Sequence, residues 1–160
     1  MLNQKRVRSR PRGAITDMKS LNQKSTILFL QLIDQLPEKD HELILYRPGN
    51  DPLRIEKIRK IRSEEGMGIL YSIGTLEQEL NLTYSLLMEF VVVDKRDKES
   101  KAGPVLIYPI LYRDDLNETE EPSVFIRFGQ MQVCNPILYM QHVFYGEVWL
   151  HNLQKDGFIQ

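Results

Sequence analysis

The feature that most constrains this chain is an alternation across residues 79–93. Leu80, Leu82, Tyr84, Leu86, Met88, Phe90 and Val92 share one parity, and Glu79, Asn81, Thr83, Ser85 and Glu89 share the other. A period of two is the signature of a strand, because successive side chains leave a pleated backbone on opposite sides. One side of that ribbon must be buried. The stretch is long for one strand, so a bulge or bend near Leu87 is expected. A cover is available upstream: Leu28, Phe29, Leu32, Ile33 and Leu36 recur at helical spacing and stop at Pro37. Ser20 with Gln23 resembles a capping box, which predicts a helix over about 20–36 lying on a sheet.

Further strands follow from turn chemistry. Glu42–Arg47 and Leu53–Ile58 flank Pro48-Gly49-Asn50-Asp51-Pro52, dense in turn formers, and read as a hairpin. After the charged stretch Arg59–Glu65, Met67–Ile73 reads as a third strand bounded by Gly74. Asp94–Gly103 reads as an exposed charged loop. Val105–Tyr112 is apolar on both parities, as in a central strand covered on both sides, with Pro109 marking a bulge. Asp114–Pro122 reads as an acidic loop, and Val124–Phe128 returns to alternation with Arg127 outward. Ile137–Leu153 fits either two short strands broken at Gly146 or an amphipathic helix using Ile137, Met140, Phe144, Val148 and Leu150. Its aromatics favour extended structure as far as Trp149. The fold class predicted is α+β, an N-terminal helix packed on a mostly antiparallel sheet of five to seven strands. Residues 1–18 are expected to be a flexible basic tail and 19–160 a single domain.

Composition narrows the function classes. With 42% hydrophobic and 27% charged residues, the 160-residue chain has globular rather than fibrous or disordered composition. The longest apolar run, Leu86–Val93, is interrupted by Glu89 and is too short to cross a bilayer, so no membrane role is expected. The basic N-terminus has no apolar core of a secretory signal, and a cytoplasmic location is expected. Cys134 is the only cysteine, which excludes an internal disulfide and a thiolate-rich zinc cluster.

Charge is uneven. Lys5, Arg6, Arg8, Arg10 and Arg12 precede the first acid, Asp17, so a cationic arm leads a net acidic body. Such arms are drawn to phosphate backbones by counterion release, making these five residues the candidate nucleic-acid contacts. The segment Asn135–Trp149 concentrates Tyr139, Phe144, Tyr145 and Trp149, side chains that either fill a core or make an interface with a protein partner or a second copy. Candidate catalytic carboxylates are Glu89, whose neighbours Met88 and Phe90 would raise its pKa if it were partly buried but whose place in the alternation favours an outward residue on an exposed face, and Asp114, Asp115 and Glu118 in the acidic loop. The loop lacks the alternating ligands and central glycine of an EF-hand, and Asp94-Lys95 lacks the spacing of a nuclease Glu-x-Lys. His41, His142 and His151 lie far apart, Cys134 has no histidine nearby, and each is expected to be structural. No phosphate loop, nucleophile elbow or zinc-protease motif is present, so no metal or cofactor is expected.

Three groups of residues resemble the ordered landmarks of a known family. They are Leu45–Ile58 around the Pro-Gly-Asn-Asp-Pro turn; Leu111–Leu116 followed by Glu121–Ile126; and Asn135–Gln141 with Gly146. Together they are similar to a small bacterial domain-of-unknown-function family, often plasmid-borne, across about half of residues 27–150. The family's Asn-Gly-Asp turn is replaced here by Arg113-Asp114-Asp115. The resemblance implies a bacterial or mobile-element cytoplasmic protein and carries no catalytic residues. The function expected is therefore a non-enzymatic binding or assembly protein, with nucleic-acid association through the basic arm. The alternative is a metal-assisted hydrolase or nuclease using acidic residues at strand ends.

Overall fold

Eight strands and two helices were found in a computed structural model that describes residues 18–63 and 65–160. Helix α1 (Gln23–Ile33) is followed by strands β1 (Glu42–Leu45), β2 (Leu53–Ser63), β3 (Gly66–Gln78), β4 (Thr83–Asp94), β5 (Val105–Asp114) and β6 (Thr119–Pro122). These six form one antiparallel sheet in chain order, a meander in which each strand pairs with the next. Strands β7 (Val124–Arg127) and β8 (Gln130–Val133) make a separate hairpin, and helix α2 (Pro136–Lys155) closes the fold. The α+β class and the antiparallel sheet agree with the sequence reading. The basic arm Lys5–Arg12 lies outside the described residues.

The alternation becomes β4, with corrections at its start. The strand begins at Thr83 because β3 runs on through Gly74 to Gln78, leaving residues 79–82 to make the turn. Leu80 is thus 99% exposed, and Leu82 sits at a left-handed φ of 46°. The register shifts between Thr75 and Leu76, where Ser85 has no partner across the strands. This bulge precedes the expected site near Leu87. It also moves Tyr84 to the opposite face, where its ring lies over Gly74. A Cβ on Gly74 would meet Tyr84 Cδ1 at 2.4 Å. A second shift, opposite Glu89/Phe90, falls in β5 beside Pro109, as that proline predicts.

The helix-facing side of the sheet carries Tyr71, Ile73, Met88 and Phe90, brought level by the β3–β4 register. Phe29 of α1 packs edge-on against Phe90 at 4.9 Å and against Tyr71 at 6.2 Å, and Leu28 and Leu32 are buried beside it. α1 is shorter than the predicted 20–36. Its N-cap is Asn22, whose carboxamide accepts from Ser25 N at 2.8 Å, rather than the Ser20 box.

Residues 137–153 are helical, contrary to the extended reading. Strong end signals override the β preference of the aromatics. Asn135 caps the helix by accepting from Leu138 N at 3.1 Å, and Pro136 occupies a first-turn position where a missing N–H costs nothing. At the far end Gly157, with φ 87°, donates to Gln154 O while Phe158 donates to Leu153 O, a Schellman closure. Three other boundaries move. The strand read as ending at Ile58 runs to Ser63, past a bulge at Ile58. The acidic loop is a hairpin whose second strand is β6. Val124–Phe128 gains a partner, β8, through a Phe128-Gly129 turn with both φ values positive.

Two substitutions test which half of the alternation is buried. Phe90→Ala lowers unfolding free energy in urea by about 3–5 kcal/mol, as expected for emptying an aromatic site. Leu80→Ala changes it by no more than about 0.5 kcal/mol, although both residues share one parity in the sequence.

Candidate functional site

The predicted carboxylates separate into two settings. The register aligns Glu42, Glu56, Ser72 and Glu89 in one row across β1–β4, on the face away from the helices. Ile44, Arg54, Gly74, Leu87, Arg113 and Glu120 form the adjoining row. Arg54 joins the acids: Nη2 donates to Glu42 at 2.6 Å, and Nη1 donates to Glu56 at 2.8 Å and to the Tyr84 hydroxyl at 2.9 Å. Arg113 stacks over the same Tyr84 ring at 5.1 Å. Glu89 lies in a cleft of about 430 Å³ with Arg59, Glu120, Phe125 and Ile126. Burial pushes its carboxyl above the ordinary value. The Arg113 charge pulls the other way, and Glu120 and Glu56 add to the rise.

Asp114, Asp115 and Glu118 belong to the β5–β6 turn, and the first two serve its closure. Asp114 accepts from Leu116 N, Asn117 N and Asn117 Nδ2, and these bonds, Asn117 Nδ2 foremost, hold its pKa below the usual range. Asp115 accepts from Tyr84 N and lies 2.8 Å from Arg113 Nε. Glu118 is exposed at a left-handed φ of 51°. Among the described residues no three His, Cys, Asp or Glu side chains gather where they could hold a metal ion.

The aromatic segment behaves differently. Tyr139 points inward, its hydroxyl donating to Lys19 O, and belongs to the core. Phe144, Tyr145 and Trp149 instead line a cleft of about 460 Å³ between α2 and the β4–β6 end of the sheet. The sheet supplies Leu86, Tyr112 and Glu121, which the register places on the helix-facing side. Tyr112 bridges inward and outward groups, its ring 6.1 Å from both His142 and Tyr145.

Behind Tyr112 sits a group that spacing in the sequence does not reveal. His142 is fully buried, with Nδ1 2.8 Å from Ser123 Oγ and Nε2 3.7 Å from Glu121 Oε2. That second gap is too long for a hydrogen bond, and Nε2 has no partner. Burial lowers the imidazole pKa and Glu121 opposes the shift, so the ring is neutral at pH 7. Nδ1 shares its hydrogen bond with a Ser123 hydroxyl that also donates to Ile110 O at 3.4 Å. Hydroxyl, imidazole and carboxylate are the ingredients of nucleophilic catalysis, but Ser123 is as fully buried as the histidine and has no access to a substrate. The trio fastens α2 to the β6–β7 junction. The meeting of Tyr112, Glu121 and Ser123 with His142, expected only to be structural, was missed because it depends on α2 being a helix. The Asn135-Pro136 start and Asp156-Gly157 end were the signals that could have found it.

The profile of a family described as a domain of unknown function, DUF6908, matches residues 27–159. No curated protein and no solved structure matches the chain.

The buried titrating groups make a pH prediction with opposite signs. Glu89 binds its proton more tightly folded than unfolded, so its carboxylate costs stability as pH rises through the window above its ordinary value of 4.5. Glu89→Gln therefore melts higher than the parent near pH 7, and the gain vanishes near pH 4. His142 binds its proton less tightly folded, so stability is lost as pH falls below its ordinary value of 6.5. His142→Asn flattens that acid limb in melting scans.

Proposed function

We propose, for a chain that belongs to the DUF6908 family of domains of unknown function, the role of a non-enzymatic binding or assembly protein whose assembling surface is the outward face of α2. The observation that carries this reading is the stripe along that helix. Ile137 is 75% exposed, Phe144 62% and Tyr145 44%, with Met140 and Val148 also exposed, at spacings of three and four that keep them on one side of 20 residues of helix. An exposed apolar stripe of this length costs free energy in water and is relieved by a partner.

The occupant that fits best is a second copy of the chain. From Pro136 to Gln154 the only charged side chain is Glu147, and it is engaged with Asn22 N of α1. Two such helices can therefore pack antiparallel about a twofold axis without meeting like charges. The basic arm extends the reading: Lys5, Arg6, Arg8, Arg10 and Arg12 would add a contact to nucleic-acid phosphates, in the bacterial or mobile-element cytoplasm that the sequence landmarks imply.

Sedimentation velocity tests the self-association. The full chain is expected to dimerise, and Ile137→Glu with Phe144→Glu to be monomeric with unchanged circular dichroism. A parent that stays monomeric up to about 100 μM, where an interface worth about 5.5 kcal/mol is half formed, removes the reading. The arm is tested separately by gel shift at low salt: deleting residues 1–13 is expected to abolish retardation of duplex DNA, and equal retardation with and without them rules the contact out.

A further inference from the structure

We propose that the cleft between α2 and the β4–β6 end of the sheet binds a small amphipathic organic cation, its charged head at Glu121 and its apolar body along Phe144, Val148 and Trp149. Three observations converge on this chemistry. The walls are rings and aliphatic groups: Leu86, Tyr112, Phe144, Tyr145, Val148 and Trp149. The polar lining consists of Gln141, Asn152 and one formal charge, the Glu121 carboxylate. That carboxylate lacks a counter-ion, for among the described residues no Lys or Arg lies within ion-pair distance of it, and its neighbour at 3.7 Å is His142, held neutral by burial.

An uncompensated carboxylate beside aromatic faces attracts a cation twice, by charge and by the negative face of each ring. Burial also pushes the Tyr112 hydroxyl above its ordinary pKa, so the ring stays neutral and adds no competing charge to the lining. A weakly hydrated alkylammonium suits the place better than a metal ion. One carboxylate and a set of rings cannot replace the oxygen shell that a hard cation requires, whereas a methylated ammonium needs only contact surface and a nearby anion. The fully buried Nε2 of His142 is unpartnered and lies 3.7 Å from Glu121 Oε2, so the ring forms the wall behind the carboxylate. The cleft shares Phe144, Tyr145 and Val148 with the face proposed for self-association, so a second copy and the ammonium compete for these side chains, and the ligand titration is made at protein concentrations where the chain is monomeric.

Trp149 is the chain's single tryptophan, which makes its fluorescence a direct report on the cleft. Hexyltrimethylammonium, 1-hexanol and hexyl sulfate share one alkyl chain and differ in charge. The full chain is expected to give a saturable Trp149 change with the ammonium at an affinity at least about tenfold above that of hexanol, with the sulfate weakest. Added salt should weaken the ammonium alone. Glu121→Gln is expected to remove the preference for the ammonium and leave hexanol binding unchanged. Glu120→Gln, outside the cleft, keeps it. Equal affinities for the ammonium and hexanol, tighter binding of the sulfate, or a preference that survives Glu121→Gln each overturns the proposal, as does the absence of a saturable signal. Should Glu121→Gln not fold, the three-ligand comparison and the salt titration on the parent decide alone.

Discussion

Everything in this fold depends on the junction at Phe90. Its ring is fully buried at the middle of β4, meets Phe29 of α1 edge-on at 4.9 Å, and lies where α2 passes with Gly146. An edge-to-face pair adds about 0.5–1.5 kcal/mol to the burial of the two rings, and its geometry fixes the angle at which α1 meets the sheet. The second helix passes close as well: a Cβ on Gly146 would stand in ordinary van der Waals contact with Phe90 Cε1, at 3.4 Å. One aromatic side chain thus locates sheet and both helices relative to one another. Because α2 is pinned at its middle, its far side is left uncovered from Ile137 to Val148.

How much of this was legible from residues follows from where the signals sit. The period-two pattern around Phe90 and the 3.6-period pattern of Leu28, Phe29 and Leu32 are local, and local patterns identify a strand and its cover. The limits of β4 are not local. Whether Leu80 and Leu82 belong to it depends on how far β3 continues through Gly74, and that is settled by Tyr84 filling the space a side chain would take. The same holds for α2. Tyr139, Phe144, Tyr145 and Trp149 have strand-like preferences individually, but tertiary burial of Tyr139, His142, Val143 and Leu150 on one side of a helix outweighs them.

The candidate site was legible only in part for the same reason. Phe144, Tyr145 and Trp149 were recognisable as a concentration of interface-forming side chains, whereas Tyr139 from the same cluster turns inward. Glu121 looked like one acid among several in a loop. Its distinction is positional: the β5–β6 register sets it opposite Tyr112, on the helix-facing side of the sheet. Glu120, one residue earlier, pairs with Arg113 on the other side. A strand's alternation therefore sorts two adjacent identical residues into unlike surroundings, one beside arginines and one beside rings.

That sorting gives the two faces of the sheet different electrostatics. On the side away from the helices, Arg54 bridges Glu42 and Glu56, and Arg113 answers Asp115 while reaching the field of Glu89. Arg54, Glu42, Glu56, Arg113 and Asp115 there compensate one another within the protein, so a ligand for these groups would have to displace bonds already made. On the helix side, burying α1 and α2 requires apolar partners, and cations are excluded from that layer by the desolvation they would suffer. Glu121 stands at the margin of the layer, near enough to be surrounded by rings and far enough out for its carboxylate to remain hydrated. Among the described residues no Lys or Arg pairs with it, and the packing demand that centres on Phe90 creates that condition.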